Sequence, residues 1–372
     1  MEENKRLSLC MIVRNEETFI RKSLNSVKDV VDEMIIVDTG STDDTVKICK
    51  SLGATVLHYD WENNFAAARN YGLESAKGDW ILWLDADEEV EKEDAAKLRD
   101  VLSETKIHIG DIQLINYYGS YPTHPDHAFL INHHRLFRNH MGFRFKNRIH
   151  EQLNVQEVIG DVDHCVTLPV RVYHYGYLDN ITRQKDKHKR NTYILEMMKQ
   201  EDNRDPWIDY HLASEYYREQ EHTKAFPYIN EAILKFIHKQ QTPPSLLYKL
   251  KYEILVTLKY FDGAWPAIDK AIALYPDYVD LQFYKGLIFL GKEKYKEAIE
   301  VFQHCLTLGE NNLHHLTLKG VGSFQAWFHI GQCYKKLNQR EEATLAFETC
   351  LQLSHHHELA MKELEKIKNP FY

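Results

Sequence analysis

Short apolar runs rich in Ile and Val recur through the first 84 residues, at Ser8–Val13, Glu33–Asp38, Ala54–Tyr59 and Trp80–Leu84. Runs of this length and composition predict buried parallel strands. Amphipathic patterns separate them and predict helices over Thr18–Val27, Thr42–Leu52 and Asn64–Ala76. Ser41 and Thr42 suit an N-cap, and Gly53 and Gly78 fall where helices should stop. Such alternation implies right-handed crossovers and a parallel sheet covered by helices, with ligands beyond the carboxyl ends of the strands.

From Gly110 to about His174 the pattern becomes a mixed sheet extension, with strand-like pieces at Gln113–Tyr117, Arg135–Arg138 and Val166–Tyr173 between polar loops. Arg183–Lys199 reads as a charged linking helix, and from Asp205 onward helix follows helix. Trp327, Ile330, Gly331, Tyr334, Ala343, Phe347 and Cys350 fit the tetratricopeptide pattern, and Gly286, Phe289, Ala298, Phe302 and Cys305 repeat it. Ala264, Ile268, Ala271 and Pro276 give its second half, while Leu212, Ala213, Tyr216, Ala225, Ile229 and Ala232 give a degenerate first copy. Ala264 and Ala298 stand one period of roughly 34 residues apart. The other copies are spaced more widely, with the surplus in Gln240–Pro244 and Gly309–Gly320. Since one repeat cannot bury its own face, about three or more must stack. The expected organisation is a catalytic domain over 1–178, a linking helix over 179–204 and a helical repeat domain over 205–372.

Charge narrows the partners. A formal charge of −9 argues against a nucleic acid held on a broad basic surface. The six cysteines form no C-x-x-C pair and mostly lie in apolar stretches, which reads as buried reduced thiols of a cytoplasmic protein. Leu7–Val13 reads as a first strand and not as a signal peptide, and no stretch approaches the roughly 18 apolar residues of a membrane span.

The candidate chemistry sits at the strand ends. In Trp80-Ile-Leu-Trp-Leu-Asp85-Ala-Asp87-Glu88 an apolar strand delivers two carboxylates. A hard divalent cation held there can neutralise the charge of a departing diphosphate. Asp87 would be its direct ligand, and Asp85 would reach a ribose or, through water, the cation. In Ile35-Ile-Val-Asp38-Thr-Gly-Ser, Asp38 can accept a hydrogen bond from the imide N–H of uracil or thymine, or instead cap the next helix. Backbone groups at the end of the first strand, around Val13, can line a base pocket. Arg14 or Asn15 can meet base or phosphate, or simply form a strand-to-helix turn. Arg69, on the thin alanine face of Asn64-Phe-Ala-Ala-Ala68-Arg69-Asn70, offers a planar fork suited to diphosphate.

Together M-I-V-R-N-E, V-D-T-G-S-T-D-D-T, N-F-A-A-A-R-N and W-L-D-A-D-E resemble the inverting family 2 glycosyltransferases of GT-A fold, in order and spacing, over about residues 6–175. With trailing repeats, the arrangement is similar to bacterial two-domain enzymes that include the sublancin-type peptide S-glycosyltransferases. The resemblance implies that Asp38 contacts uracil and that Asp85 and Asp87 form a metal-binding D-x-D motif. This chain has Asp38-Thr39-Gly40 where the commonest family pattern has a second Asp. Similar enzymes carry an H-E pair where this chain has His150-Glu151, so Glu151 is the expected base, with His150 positioning it or touching the donor; a surface loop glutamate is the plain alternative, and Asp126 the fallback base. A histidine after the last sheet strand is a frequent third metal ligand in GT-A enzymes. His174 occupies that place and suits Mn²⁺ better than Mg²⁺, unless it is a structural histidine of an aromatic strand. Arg135 and Arg138 are weaker candidates for the diphosphate.

The expected protein is thus a metal-dependent (Mn²⁺ or Mg²⁺) inverting glycosyltransferase that moves a hexose from a UDP-sugar to an acceptor, with a peptide or protein side chain favoured. The repeats would present a concave surface to the acceptor or serve self-association. The alternatives are transfer to a lipopolysaccharide or other cell-envelope glycan, and a tetratricopeptide scaffold attached to an inactive transferase domain.

Overall fold

The structure, a computed structural model, describes residues 5–160, 164–179, 187–201 and 205–368. The chain forms two compact units, Met1–Pro125 with Phe129–Met198, and Asp126–Ala128 with Lys199–Tyr372.

The first unit is built on a mixed sheet whose main path runs β3-β2-β1-β4-β7-β6-β10-β5. Its strands are β1 (Leu7–Val13), β2 (Glu33–Asp38), β3 (Thr55–His58), β4 (Trp80–Trp83), β5 (Glu88–Val90), β6 (Ile109–Gly119), β7 (Ala128–Arg138) and β10 (Cys165–Leu178). β1 is parallel to β2 and β4, and β2 to β3. β7 runs antiparallel to β4. Leu7, Leu9, Trp80, Ile81 and Leu82 are fully buried, as both-faces-covered strands require. The helices α1 (Ile20–Val27), α2 (Thr45–Ser51) and α3 (Phe65–Ser75) connect the parallel strands. A small hairpin, β8 (Phe145–Lys146) against β9 (Gln152–Leu153), rests on the sheet through Phe145 and Trp83, whose rings meet edge-on at 5.1 Å.

Two expectations need correction. Neither Ser41 nor Thr42 caps α2: the helix begins at Thr45 behind Asp44, and Ser41 Oγ instead accepts Asn15 N at 3.0 Å. The loops after β1 and β2 compete for these polar groups, and cross-loop bonds win over a local cap. Second, the three short strand pieces expected after Gly110 are parts of longer strands, because β6, β7 and β10 continue through polar positions that pair across the sheet.

The second unit stacks helices in antiparallel pairs. Pro206–Arg218 packs with His222–His238, Val279–Gly291 with Tyr295–Leu308, and Phe324–Lys336 with Arg340–Leu353, ahead of a final helix, Glu358–Lys368. Close approach explains the glycines: a Cβ on Gly286 would lie 2.5 Å from the Phe302 ring, and one on Gly331 2.6 Å from Phe347. The second pair is irregular. Ser245–Thr257 faces Phe261–Ala264 and Ile268–Leu274, which are separated where Pro266 lacks an N–H to continue the helix. The longer connections fall at 239–244 and 309–323, as the repeat spacing requires. The second of these is pinned by Asp280, which accepts Leu318 N at 3.1 Å and holds the buried Lys249 ammonium at 2.5 Å. Of the expected linking helix, Lys187–Gln200 is helical; its first four residues, 183–186, lie outside the described ones.

Candidate active site

The carboxyl edge of β1, β2 and β4 gathers the candidate residues in three groups. The first joins the loops after β1 and β2. Register pairs Val13 with Asp38, and the Val13 carbonyl accepts both Thr39 N and Thr39 Oγ1, at 3.0 and 3.1 Å. Asp38 is buried; its carboxylate accepts Ser41 N at 3.0 Å and Gly40 N at 3.4 Å, with His58 Nδ1 at 3.3 Å. Asn15 is exposed and left-handed, with a φ of 55°, and its Oδ1 accepts Thr42 N at 2.8 Å. Arg14 is exposed. Asp38 thus serves the turn that it starts, and Asn15 ties the two loops.

The second group surrounds Arg69, projected by α3. Its Nε donates to Glu151 Oε1 at 2.5 Å and its Nη2 to Asp85 Oδ1 at 2.6 Å, while the guanidinium lies 4.4 Å from the centre of the Trp83 ring. Burial works against the guanidinium charge, but Asp85 and Glu151 outweigh it and raise its pKa. Asp85 follows suit: burial alone would raise its pKa, and Arg69 with Arg135 brings it down to about 2. Glu151 sits just before β9 on the hairpin, after His150, which is left-handed at a φ of 51°. Non-glycine residues adopt that conformation sparingly, and it is a place where functional loops store strain.

Behind this group Arg135, a weak diphosphate candidate in the sequence, is instead paired with Glu88, and that pairing was not foreseen. Glu88 is completely buried; one oxygen holds Arg135 Nη2 and the other accepts Asp85 N at 2.9 Å. Arg135 lies flat on Trp83, 3.6 Å from the ring centre. The acidic turn Asp85–Glu88 is therefore fixed from beneath. Arg138 does not join the site: it donates to the carbonyls of Ile107 and Glu104 at 2.7 and 2.6 Å. Asp126 lies in the second unit, where Ser354 Oγ donates to it.

The third group joins Asp87 and His174. Register sets His174 of β10 between Asn116 of β6 and Glu88 of β5. Asn116 Nδ2 donates to Phe129 O, so its Oδ1 accepts His174 Nδ1–H, at 2.8 Å. That bond turns Nε2 toward Asp87, 3.5 Å from Oδ1. Burial lowers the pKa of the imidazole, and Asp87, Glu88 and Asp85 together more than reverse this, so it is raised. Gly176 keeps the space between them open: a Cβ there would stand 2.5 Å from His174 Nε2 and 2.6 Å from Asp87 Oδ2. On the other side Lys187 Nζ lies 3.5 Å from Asp87 Oδ2. Among the described residues no three His, Cys, Asp or Glu side chains converge as a complete cation cage. A carboxylate and an oriented imidazole facing across a glycine do fit an open cation site, whose other ligands a diphosphate and water would supply.

Asn116, Gly176 and Lys187 were also missed. Asn116 reaches His174 through strand pairing and Lys187 reaches Asp87 from a helix 100 residues on, which no local motif signals.

Comparisons with known proteins identify the families of both parts of the chain. The family model for glycosyl transferase family 2 matches residues 8–176, and a tetratricopeptide repeat model matches 280–312 and 324–357. A TPR repeat-containing protein of Synechococcus elongatus is 33% identical over 74% of this chain and 67% of its own length. This chain belongs to the family 2 glycosyltransferases that carry tetratricopeptide repeats. The SPbeta prophage-derived glycosyltransferase SunS of Bacillus subtilis is 29% identical over 75% of this chain and 66% of its own length. An uncharacterized glycosyltransferase of Rickettsia typhi is 43% identical over 24% of this chain and 30% of its own. The chain thus spans about two thirds of the length of the first two of these relatives. It is a glycosyltransferase, with a GT-A-like mixed-sheet domain followed by helical repeats. No helix among the described residues is long and apolar enough to cross a membrane.

Proposed function

We propose that residues 1–178 transfer a hexose, with inversion, from a UDP-sugar to an acceptor, and that residues 205–372 engage a peptide or protein acceptor. The observation that carries the donor reading is the facing of Asp87 and His174 across Gly176, beside the Arg69–Asp85–Glu151 cluster. Asp87 and His174 would hold Mn²⁺ or Mg²⁺, whose chemistry is to neutralise charge on a departing diphosphate. Asp38 and the end of β1, with Arg14 and Asn15 alongside, would receive the uridine. Asp85 would meet the ribose.

Glu151 acts as the base in this reading. Arg69 holds its Oε1, which fixes the carboxylate, and Oε2 takes the proton of the acceptor hydroxyl or thiol. The acceptor atom bonds to the anomeric carbon as the bond from that carbon to the diphosphate oxygen breaks, and UDP leaves with the electron pair. Attack opposite the leaving group inverts the anomeric centre. His150 orients Glu151 through the hairpin. The family resemblance and the repeats support a peptide or protein acceptor.

A screen of UDP-sugars by UDP release with Mn²⁺ tests the donor half. Asp87→Asn and Glu151→Gln should each lower transfer at least about a hundredfold, the scale of losing one acid–base or electrostatic element. Equal UDP release by the parent and Asp87→Asn would refute the reading. Mass spectrometry of candidate peptides identifies the acceptor.

A further inference from the structure

Lys187 begins the helix Lys187–Gln200, and none of the family motifs includes it. Its ammonium donates to Gly176 O at 3.1 Å and lies 3.5 Å from Asp87 Oδ2. Among the described residues, His174 Nε2 faces one oxygen of Asp87 and Lys187 Nζ the other. The gap that Gly176 leaves open is the one these groups border. A buried carboxylate without a counter-charge is costly, so Asp87 needs a cation whether or not a metal is present. An ammonium on a carboxylate oxygen weakens the hold of that oxygen on a divalent ion, because the two positive charges repel.

We propose that Lys187 is the resident counter-cation of Asp87, which a divalent ion must displace. This rests on the reading of Asp87 as a metal ligand. Lys187 then weakens binding of the bare cation. A nucleotide diphosphate arriving with the ion supplies new oxygens for the displaced ammonium, so Mn²⁺ and UDP bind with positive cooperativity. By linkage each tightens the other equally.

The test is Mn²⁺ binding without nucleotide, followed by electron paramagnetic resonance, in the full chain and in Lys187→Met, Lys187→Arg and Asp87→Asn. UDP binding is measured with and without Mn²⁺. Lys187→Met should bind Mn²⁺ about two- to fivefold more tightly, the scale of a partly exposed ion pair, and lose part of the Mn²⁺–UDP cooperativity. Lys187→Arg keeps the charge and should stay near the parent. Unchanged or weaker Mn²⁺ binding by Lys187→Met, with Asp87→Asn clearly impaired, would overturn the role of Lys187 alone. Parent-like Mn²⁺ binding by Asp87→Asn would instead remove Asp87 as a ligand, and both readings with it. Circular dichroism of each variant separates these outcomes from loss of fold.

Discussion

Asp85 is half-buried between two arginines, and that balance makes it a pH-dependent support of the fold. Its pKa falls from 3.8 to about 2 in the folded chain, burial being outweighed by Arg69 and Arg135. A carboxyl depressed on folding adds stability above its unfolded pKa and loses it as pH drops through the folded one. The contribution, about 1–2 kcal/mol for a partly exposed group, should be complete above pH ~5 and largely gone near pH ~2. Urea midpoints of the parent and Asp85→Asn should therefore differ at pH 6 and converge as pH falls from about 5 toward 2; a constant gap would contradict the assignment. Glu88 answers to a different term. Glu88→Gln keeps an acceptor for Asp85 N but takes its nearest carboxylate from the buried Arg135 guanidinium, leaving Asp85 at 3.8 Å, at a cost of about 3 kcal/mol in denaturant unfolding. At this scale the sequence was half legible. Asp38, Asp85 and Asp87 announce themselves because each ends or follows an apolar strand. Asn116 and Lys187 give no such sign, and Arg135 stands out only as a weak diphosphate candidate, since an arginine or lysine looks alike whether it faces solvent or a buried acid.

Element by element, legibility follows periodicity. β2 runs over Glu33–Asp38 as its apolar pattern predicts, and the helices before and after it differ from expectation by a few residues at their ends. The ends shift because polar side chains can bond across loops as well as along their own helix, and Ser41 does so with Asn15. The repeat helices were legible through their small residues, except where Pro266 interrupts the second pair. Two glycines show what those small residues do. Gly176→Ala would put a methyl group between Asp87 and His174, so Mn²⁺ binding should fall at least about tenfold while the circular dichroism spectrum stays that of the parent. Gly286→Ala would drive a methyl into the Phe302 ring, and should lower stability by about 1–3 kcal/mol with no loss of Mn²⁺ binding by the folded protein. The same small change thus acts on a site in one element and on packing in another.

For the molecule as a whole, the cysteines sample both units. Cys10, Cys49 and Cys165 lie in the first, and Cys305, Cys333 and Cys350 in the second. All but the half-buried Cys165 are buried, and burial pushes the thiols up, Cys49 to about 11 and Cys333 and Cys350 to about 12. Since the thiolate is the reacting form, these groups should be nearly inert to a thiol reagent at pH 8 until their surroundings open. Cys165 should react first, and the others at rates set by opening of the unit that holds them. Because each unit has its own buried clusters, the two sets can open separately, and a single unfolding free energy would then not describe the chain. Labelling across a urea series, with mass spectrometry to assign the modified cysteines, should give one midpoint for Cys10 and Cys49 and another for Cys305, Cys333 and Cys350. Adding UDP with Mn²⁺ should protect the first set alone if the nucleotide binds the sheet domain by itself. Equal protection of both sets would mean that the two units unfold as one cooperative body.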